Sequence, residues 1–463
     1  MNAEIKIKNR ERLLSTGDIT TRKVVLEIIE KSLQALDSYH VIYDLLSLDG
    51  NILRVGNFQW NLGSKRRLFV IGAGKACSAM AKAVEEKLGT FISKGLVIVK
   101  QLEIGDDLQR IELVAGGHPL PNEDGLQASK RILDIVEQTT PDDLLICLIS
   151  GGSSALMNCP VSGITLENEI KLTEELLNSG ARIMEINAVR RHISETNGGR
   201  LAQKIEAKGT EMINLIISDG VGARPTSEPG QPVKFYGTPV APDNTTLQDA
   251  RDVLKRYDLL SRIPPSVVEF LECDDPIRET PKVLGDQIHH FVIQRPADAC
   301  EAAKRAAYEL GNSVMILTTL LEGDSMQAGT FLACVAKEVA LNRRPISPPC
   351  VLIAGGETTT KVDAASGLGG PSQELALGFA LEINNLSGFG IASIDTDGTD
   401  GPTEVAGGVA DCTTVKRARL KGLNVYERLM LHDSSTVFRV LGDEVITGNT
   451  GTNVCDLNVI YIA

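Results

Sequence analysis

Asp395, Asp397 and Asp400 alternate with Gly398 and Gly401 at the end of the apolar run Gly390-Ile391-Ala392. Carboxylates at two- and three-residue spacing, on a turn where glycine lets the backbone fold tightly, suit Mg²⁺ held beside a phosphate. The metal ligands expected on this ground are Asp397 and Asp400, although Asp-Gly pairs are also ordinary turn chemistry. Four further apolar runs break into polar turns. Leu68–Ile71 leads into Gly72-Ala73-Gly74-Lys75, and Leu144–Ile149 into Ser150-Gly151-Gly152-Ser153-Ser154. Ile213–Ile217 leads into Ser218-Asp219-Gly220, and Val351–Ala354 into Gly355-Gly356-Glu357-Thr358.

Each turn has a bland reading beside a chemical one. Lys75 follows a glycine turn at a helix start, where backbone amides attract anions and a lysine adds a point charge. The same position suits a solvated lysine. Ser150, Gly151, Gly152 and Ser153 repeat the device without the charge, as a phosphate or carboxylate cradle or as simple helix capping. Gly72, Gly74, Gly355, Gly356, Glu357 and Thr358 complete the expected phosphate- and nucleotide-binding set. Arg190, in Val189-Arg190-Arg191-His192, is either a cation near a helix end or a planar fork for a small carboxylate. The acids Asp219, Glu357, Asp395, Asp397 and Asp400 all stand at strand exits. Any one suits a turn, but together they indicate a site.

The elements that must position these residues are near-continuous apolar strands alternating with helical stretches, the pattern of parallel sheets covered on both faces. In such sheets ligands collect at the carboxyl ends of the strands. Apolar spacing predicts one amphipathic helix from about Asp18 to Leu48, and further helices over Ala76 to Leu88, Glu123 to Thr139 and Leu166 to Ile193. Proline breaks at Pro264-Pro265, Pro276 and Pro281 place a domain boundary near Asp274 to Asp286, giving domains 1–280 and 281–463. The proline-rich segment Arg224–Pro232 reads as a surface loop able to close over a ligand.

At 463 residues the chain suits two α/β domains, and 43% hydrophobic with 23% charged residues is a globular composition. A net charge of −13 and only 4% aromatics argue against nucleic acid or an anionic membrane as partner. No apolar stretch is long enough to span a bilayer, and charges interrupt the first ten residues, so a cytoplasmic location is expected. The nine cysteines contain no CxxC pair and read as reduced, buried hydrophobes.

The ordered motifs resemble those of the class II glycerate kinase (glycerate 2-kinase) family, of the two-domain type with a C-terminal MOFRL domain. They include Gly72-Ala73-Gly74-Lys75-Ala76, Gly116-Gly117-His118-Pro119-Leu120-Pro121, Ser150–Ala155, Asn187–His192 and Gly198–Ala202. The second half supplies Gly355–Thr358, Gly369-Gly370-Pro371-Ser372-Gln373-Glu374, Thr396–Thr403 and Thr447–Val454. The resemblance implies an α/β protein with a Rossmann-like N-terminal domain, a distinct C-terminal α/β domain and an active-site cleft between them. It also implies Lys75 as a catalytic charge and Ser150–Ser153 as a phosphate turn. Many family members carry an arginine where this chain has Pro371, and that arginine looks catalytic in them. Ala223-Arg224 and Phe235–Pro239 also depart from the usual family pattern.

The expected activity is ATP- and Mg²⁺-dependent phosphorylation of D-glycerate to 2-phosphoglycerate, with Lys75, Arg190 and Asp219 as the catalytic group. Arg190 would orient the substrate carboxylate and Asp219 accept the hydroxyl proton. Three alternatives stand beside it: a hydroxypyruvate or tartronate reductase, a kinase of a related small hydroxy acid, and a nucleotide-binding sensor without turnover. The reductase is disfavoured because Cys77 stands where a dinucleotide fingerprint needs glycine. Expected partners are ATP and a small hydroxy acid, with a homo-oligomer left open.

Overall fold

Leu68–Ala73 and Leu144–Ile149 are buried at every residue and lie side by side, parallel, at the middle of a six-stranded sheet. The computed structural model describes residues 4–103, 107–221, 239–361 and 366–463. Across this sheet the order is Ile111–Ala115, Ile92–Val99, Leu68–Ala73, Leu144–Ile149, Glu211–Ile217, Ile288–Gln294. In chain order that is third, second, first, fourth, fifth, sixth, the doubly wound arrangement, and the order reverses between Leu68–Ala73 and Leu144–Ile149. Burial on both faces explains the unbroken apolar runs. Ala128, Ile132, Ile135 and Val136 of the helix Glu123–Glu137 and Leu201, Ala202 and Ile205 of the helix Arg200–Ala207 close over the sheet. A second small core joins the helices Leu166–Asn178, Ile183–His192, Leu247–Arg256 and Pro265–Glu272.

The other sheet is mixed, which corrects the expectation of parallel strands there. Ser313–Leu321 runs parallel to Cys350–Gly356, but Asp456–Ile462 enters antiparallel between Cys350–Gly356 and Phe389–Asp395. Gly407–Asp411 and Glu444–Val445 extend it, again antiparallel. An apolar run reports burial on both faces and carries no direction.

The chain divides into two units, one of Met1–Asp37, Ser218–Gly222 and Gln294–Ala463, the other of Ser38–Ile217 and Ala223–Ile293. This departs from the 1–280 and 281–463 division in three places, one being residues 218–221, which fall with the C-terminal unit. Residues 288–293 extend the first sheet beside Glu211–Ile217, so the second unit begins later than the prolines indicate. The first 37 residues belong to the C-terminal unit, where the helix Ile19–Ala35 packs on Phe389–Asp395 and on the helix Pro296–Glu309.

The single helix expected over 18–48 is in fact two helices, Ile19–Ala35 and Ser38–Leu45, followed by the strand Leu46–Asp49. That strand turns through Gly50, at φ +57°, into Ile52–Val55 and then Phe58–Asn61. Among the described residues no helix is long and apolar enough to cross a membrane. The Arg224–Pro232 loop, Ala223 and the segment Phe235–Thr238 lie outside the described residues.

Candidate functional site

The two central strands end in turns that lock together. Gly74 has φ +151°, and a Cβ there would stand 2.0 Å from Ser150 Oγ. Gly72 is as tightly placed, its would-be Cβ 2.3 Å from the Leu148 carbonyl oxygen. The Lys75 amide donates to the Gly151 carbonyl at 2.9 Å, and the Ala76 amide to Ser150 Oγ at 3.0 Å. Gly72, Gly74, Ser150 and Gly151 therefore serve close strand and turn packing, and the buried Ser150 hydroxyl holds the amide of the residue just before the helix Cys77–Leu88. That is the bland reading for four of the expected phosphate-binding residues. Lys75 and Gly152 are half-buried at these strand ends, with Ser153, 6% exposed, beside them. Gly152 is left-handed at φ +84°, and a Cβ on it would meet His118 Cδ2 at 2.9 Å and Lys75 Cγ at 3.4 Å. Lys75, Gly152 and His118 thus share one corner, at the point where strand order reverses and open α/β sheets bind ligands.

Gly74→Ala should force apart the two turns and cost about 1–3 kcal/mol, as other strained backbone positions do. A thermal melt and a turnover assay check this. An unchanged melting temperature with full activity contradicts the packing of Gly74 on Ser150.

Arg190, on the helix Ile183–His192, is 9% exposed, and its Nε and Nη2 have no hydrogen-bond partner among the described residues. These two nitrogens lie along one edge of the guanidinium, the edge that meets both oxygens of a carboxylate. Burial lowers the affinity of Arg190 for its proton, and the nearby Glu169 carboxyl opposes that. Nothing here resembles the exposed cation of a frayed helix end. A polar chain leads from this region to the glycine turn: Asn158 Oδ1 accepts from Ser194 Oγ at 3.1 Å, and Asn197 Nδ2 donates to the Ser154 carbonyl at 3.1 Å.

In the C-terminal unit the acids gather, with a member that sequence reasoning missed. Asp456, at the start of its antiparallel strand, lies in register with Gly356 on one side and Asp395 on the other. Burial and the charges of Asp395, Asp400 and Glu357 push its carboxyl well above the usual carboxylate range. Asp219 lies nearby, because its backbone carbonyl accepts from the Cys455 thiol at 2.7 Å and that thiol feels the charges of Glu357, Asp219, Asp456 and Asp395. Like charges directly opposed across strands are unfavourable and invite a cation.

Asp400 takes another role. It is 1% exposed, with Oδ1 accepting from the Ser372 amide at 2.9 Å and Oδ2 from the Gln373 amide at 2.9 Å and Gln373 Nε2 at 3.0 Å. Its carboxyl, raised to about 7 by burial, anchors the start of the helix Pro371–Glu382. Of the expected pair Asp397 and Asp400, Asp400 is a cap with little lone-pair capacity left for a metal. Asp397 Oδ1 accepts from the Thr399 amide at 2.7 Å and its hydroxyl at 2.8 Å, closing the turn. Among the described residues no three His, Cys, Asp or Glu side chains are grouped to hold a metal ion.

The Gly355-Gly356 turn is likewise a packing device. Cβ atoms there would stand 2.5 Å from Cys300 Sγ and 2.2 Å from the Leu321 carbonyl oxygen. Thr358 is buried and accepts from Ser325 Oγ at 3.1 Å, while the Glu357 side chain is exposed.

Residues 24–272 match a family described as a domain of unknown function (DUF4147), and residues 350–456 match the MOFRL family. The glycerate 2-kinase of Pyrococcus horikoshii is 38% identical over 444 residues, 96% of this chain and 97% of its own. The chain belongs to the class II, MOFRL-containing glycerate kinase family. A second member of that family, the D-glycerate 2-kinase of Thermotoga maritima, is 36% identical over 437 residues, 94% of this chain and 97% of its own. The crystal structure of glycerate kinase from Thermotoga maritima matches with a TM-score of 0.76 at 35% identity, covering 95% of this chain and 99% of that one. Within this glycerate kinase framework Pro371 has a clear local reason. It opens the helix Pro371–Glu382, where a missing N–H costs nothing and the fixed φ favours the helix.

Proposed function

We propose that the chain transfers the γ-phosphoryl group of ATP to the 2-hydroxyl of D-glycerate. The observation that carries this reading is that one unit holds two separate cationic stations for the two anionic ends of the reaction. Lys75 stands at the switch point of the sheet, suited to a transferring phosphoryl group, and Arg190 offers an open guanidinium edge suited to a carboxylate. Membership of the glycerate kinase family and the names of the two relatives support it.

Phosphoryl transfer asks the protein chiefly to position charge. Lys75 and the Gly152 turn stabilise the oxygens of the moving group, and Arg190 fixes the acid. Asp219, half-buried among the other acids, accepts the hydroxyl proton. The oxygen-only donors Asp395 and Asp456 fit Mg²⁺, which commonly takes one or two carboxylates and completes its shell with water and phosphate. When bound, the ion neutralises charge on the nucleotide phosphates. A cytoplasmic location accords with this substrate class.

³¹P NMR of the protein with ATP, Mg²⁺ and a panel of glycerate, hydroxypyruvate, tartronate and four-carbon sugar acids tests the reading. A phosphomonoester split by a single C2 proton is expected from D-glycerate. Signal only from another acid, or none at all, rejects glycerate 2-phosphorylation.

A further inference from the structure

Arg190 and two further buried polar side chains are left incomplete among the described residues. Glu169, in the first turn of the helix Leu166–Asn178, is 1% exposed and its Oε2 has no hydrogen-bond partner among the described residues. Asn158 is 1% exposed, and its Nδ2 likewise has no direct partner among the described residues. The orientation of the Asn158 amide is set by its oxygen, which accepts from Ser194 Oγ at 3.1 Å and Asn197 Nδ2 at 3.4 Å. Its NH₂ is thereby turned away from those donors and toward the Glu169 carboxyl, whose charged form it favours from beyond direct hydrogen-bond distance. Burial dominates there and pushes Glu169 up to about 7, against the charge of Arg190.

Glu169 and Arg190 feel each other's charge, yet neither makes a hydrogen bond or close ion pair to the other. Each buried donor or acceptor left unmade is costly, and a buried guanidinium more so. Packing alone would be better served by closing this pair into a salt bridge. The unmet atoms instead spell out a ligand: two donors on one guanidinium edge for a carboxylate, and an acceptor and a donor for one hydroxyl.

Resting on the reading of Arg190 as the carboxylate clamp, we propose that Glu169 and Asn158 determine specificity by binding the acceptor's non-reacting hydroxyl. Glu169 Oε2 accepts its hydrogen and Asn158 Nδ2 donates to its oxygen. The hydroxyl assigned to them is the one that is not phosphorylated, because the reacting oxygen must stay open to the nucleotide while Glu169 and Asn158 are each 1% exposed. The acceptor class is therefore a small acid with a second hydroxyl, D-glycerate rather than D-lactate.

Calorimetric titration of the full chain with D-glycerate and with D-lactate, which lacks the 3-hydroxyl, tests this. Wild-type protein is expected to bind glycerate more tightly by about tenfold or more. Glu169→Ala should weaken glycerate by a similar factor and leave lactate unchanged, and the isosteric Glu169→Gln, which can still accept, should show a smaller selective loss. Equal wild-type affinities mean that the gap holds only water and overturn the proposal. Parallel losses for both acids in the Glu169 variants overturn it too, because they indicate a structural role. If Glu169→Ala does not fold, Glu169→Gln decides by the same selectivity criterion. Arg190→Met separates the underlying reading: it should weaken both acids together, and unchanged binding of both rejects the clamp whatever Glu169 shows.

Discussion

Lys75→Ala should lower kcat by about 10²–10³-fold, the usual effect of removing one charge-stabilising donor from a transition state. The fold has little stake in this side chain. Its backbone amide is fixed by Gly151, and the neighbouring core positions Ala73, Ala76 and Cys77 keep their packing in the variant. The KM for D-glycerate should change little if Arg190 is the group that binds the acid. Steady-state kinetics beside a circular-dichroism melt give the answer: a loss of turnover with an unchanged melt supports the assignment. Turnover within a few-fold of wild type means that Lys75 is only a helix-start lysine.

The second large effect concerns stability. Arg22, in the helix Ile19–Ala35, is 0% exposed and pairs with Asp411 and, through Nη1 at 2.7 Å and Nη2 at 2.8 Å, with Asp443. Burial pushes Asp411 up, but Arg22 together with the Thr413 hydroxyl and amide outweighs that and holds it below its usual range. Arg417 reaches Asp443 from the other side at 2.7 Å. Arg22→Met deletes the shared cation and leaves a buried carboxylate at Asp411 without its ion pair. The expected cost is about 3–5 kcal/mol, as for other broken buried pairs. Urea unfolding followed by far-UV circular dichroism measures it, and a loss below about 1 kcal/mol would show that the network behaves like a surface ion pair.

Much of the first sheet was legible because burial on both faces writes itself as unbroken apolar runs, and Lys75 could be placed at a strand exit from the same signal. The glycines were visible but ambiguous. A glycine that admits a phosphate and one that admits a neighbouring turn look alike in sequence, and for Gly72, Gly74, Gly355 and Gly356 the neighbour is protein. Asp456 was not legible as a site acid, because strand direction has no compositional trace and it reads as the polar residue before an apolar strand. The hairpin after Leu45 did carry a signal, Asp49-Gly50 between alternating apolar residues, and the helical spacing upstream masked it. Glu169 and Asn158 are eleven positions apart and further from Arg190, so the three come together only through the packing of the helices Leu166–Asn178 and Ile183–His192 and the hold of Ser194 and Asn197 on Asn158.

The interleaving of the C-terminal sheet has a consequence for synthesis. A ribosome makes Arg22 well before its partners Asp411 and Asp443, and it makes Asp456–Ile462 after every other strand of that sheet, although this strand lies inside it. The helix Ile19–Ala35 must therefore wait, unsatisfied, while the unit of Ser38–Ile217 emerges, and the sheet cannot zip up strand by strand. Its closure is a late, long-range event, slow by the entropy of the loops it must shut, and the growing chain depends on keeping that helix uncommitted until then.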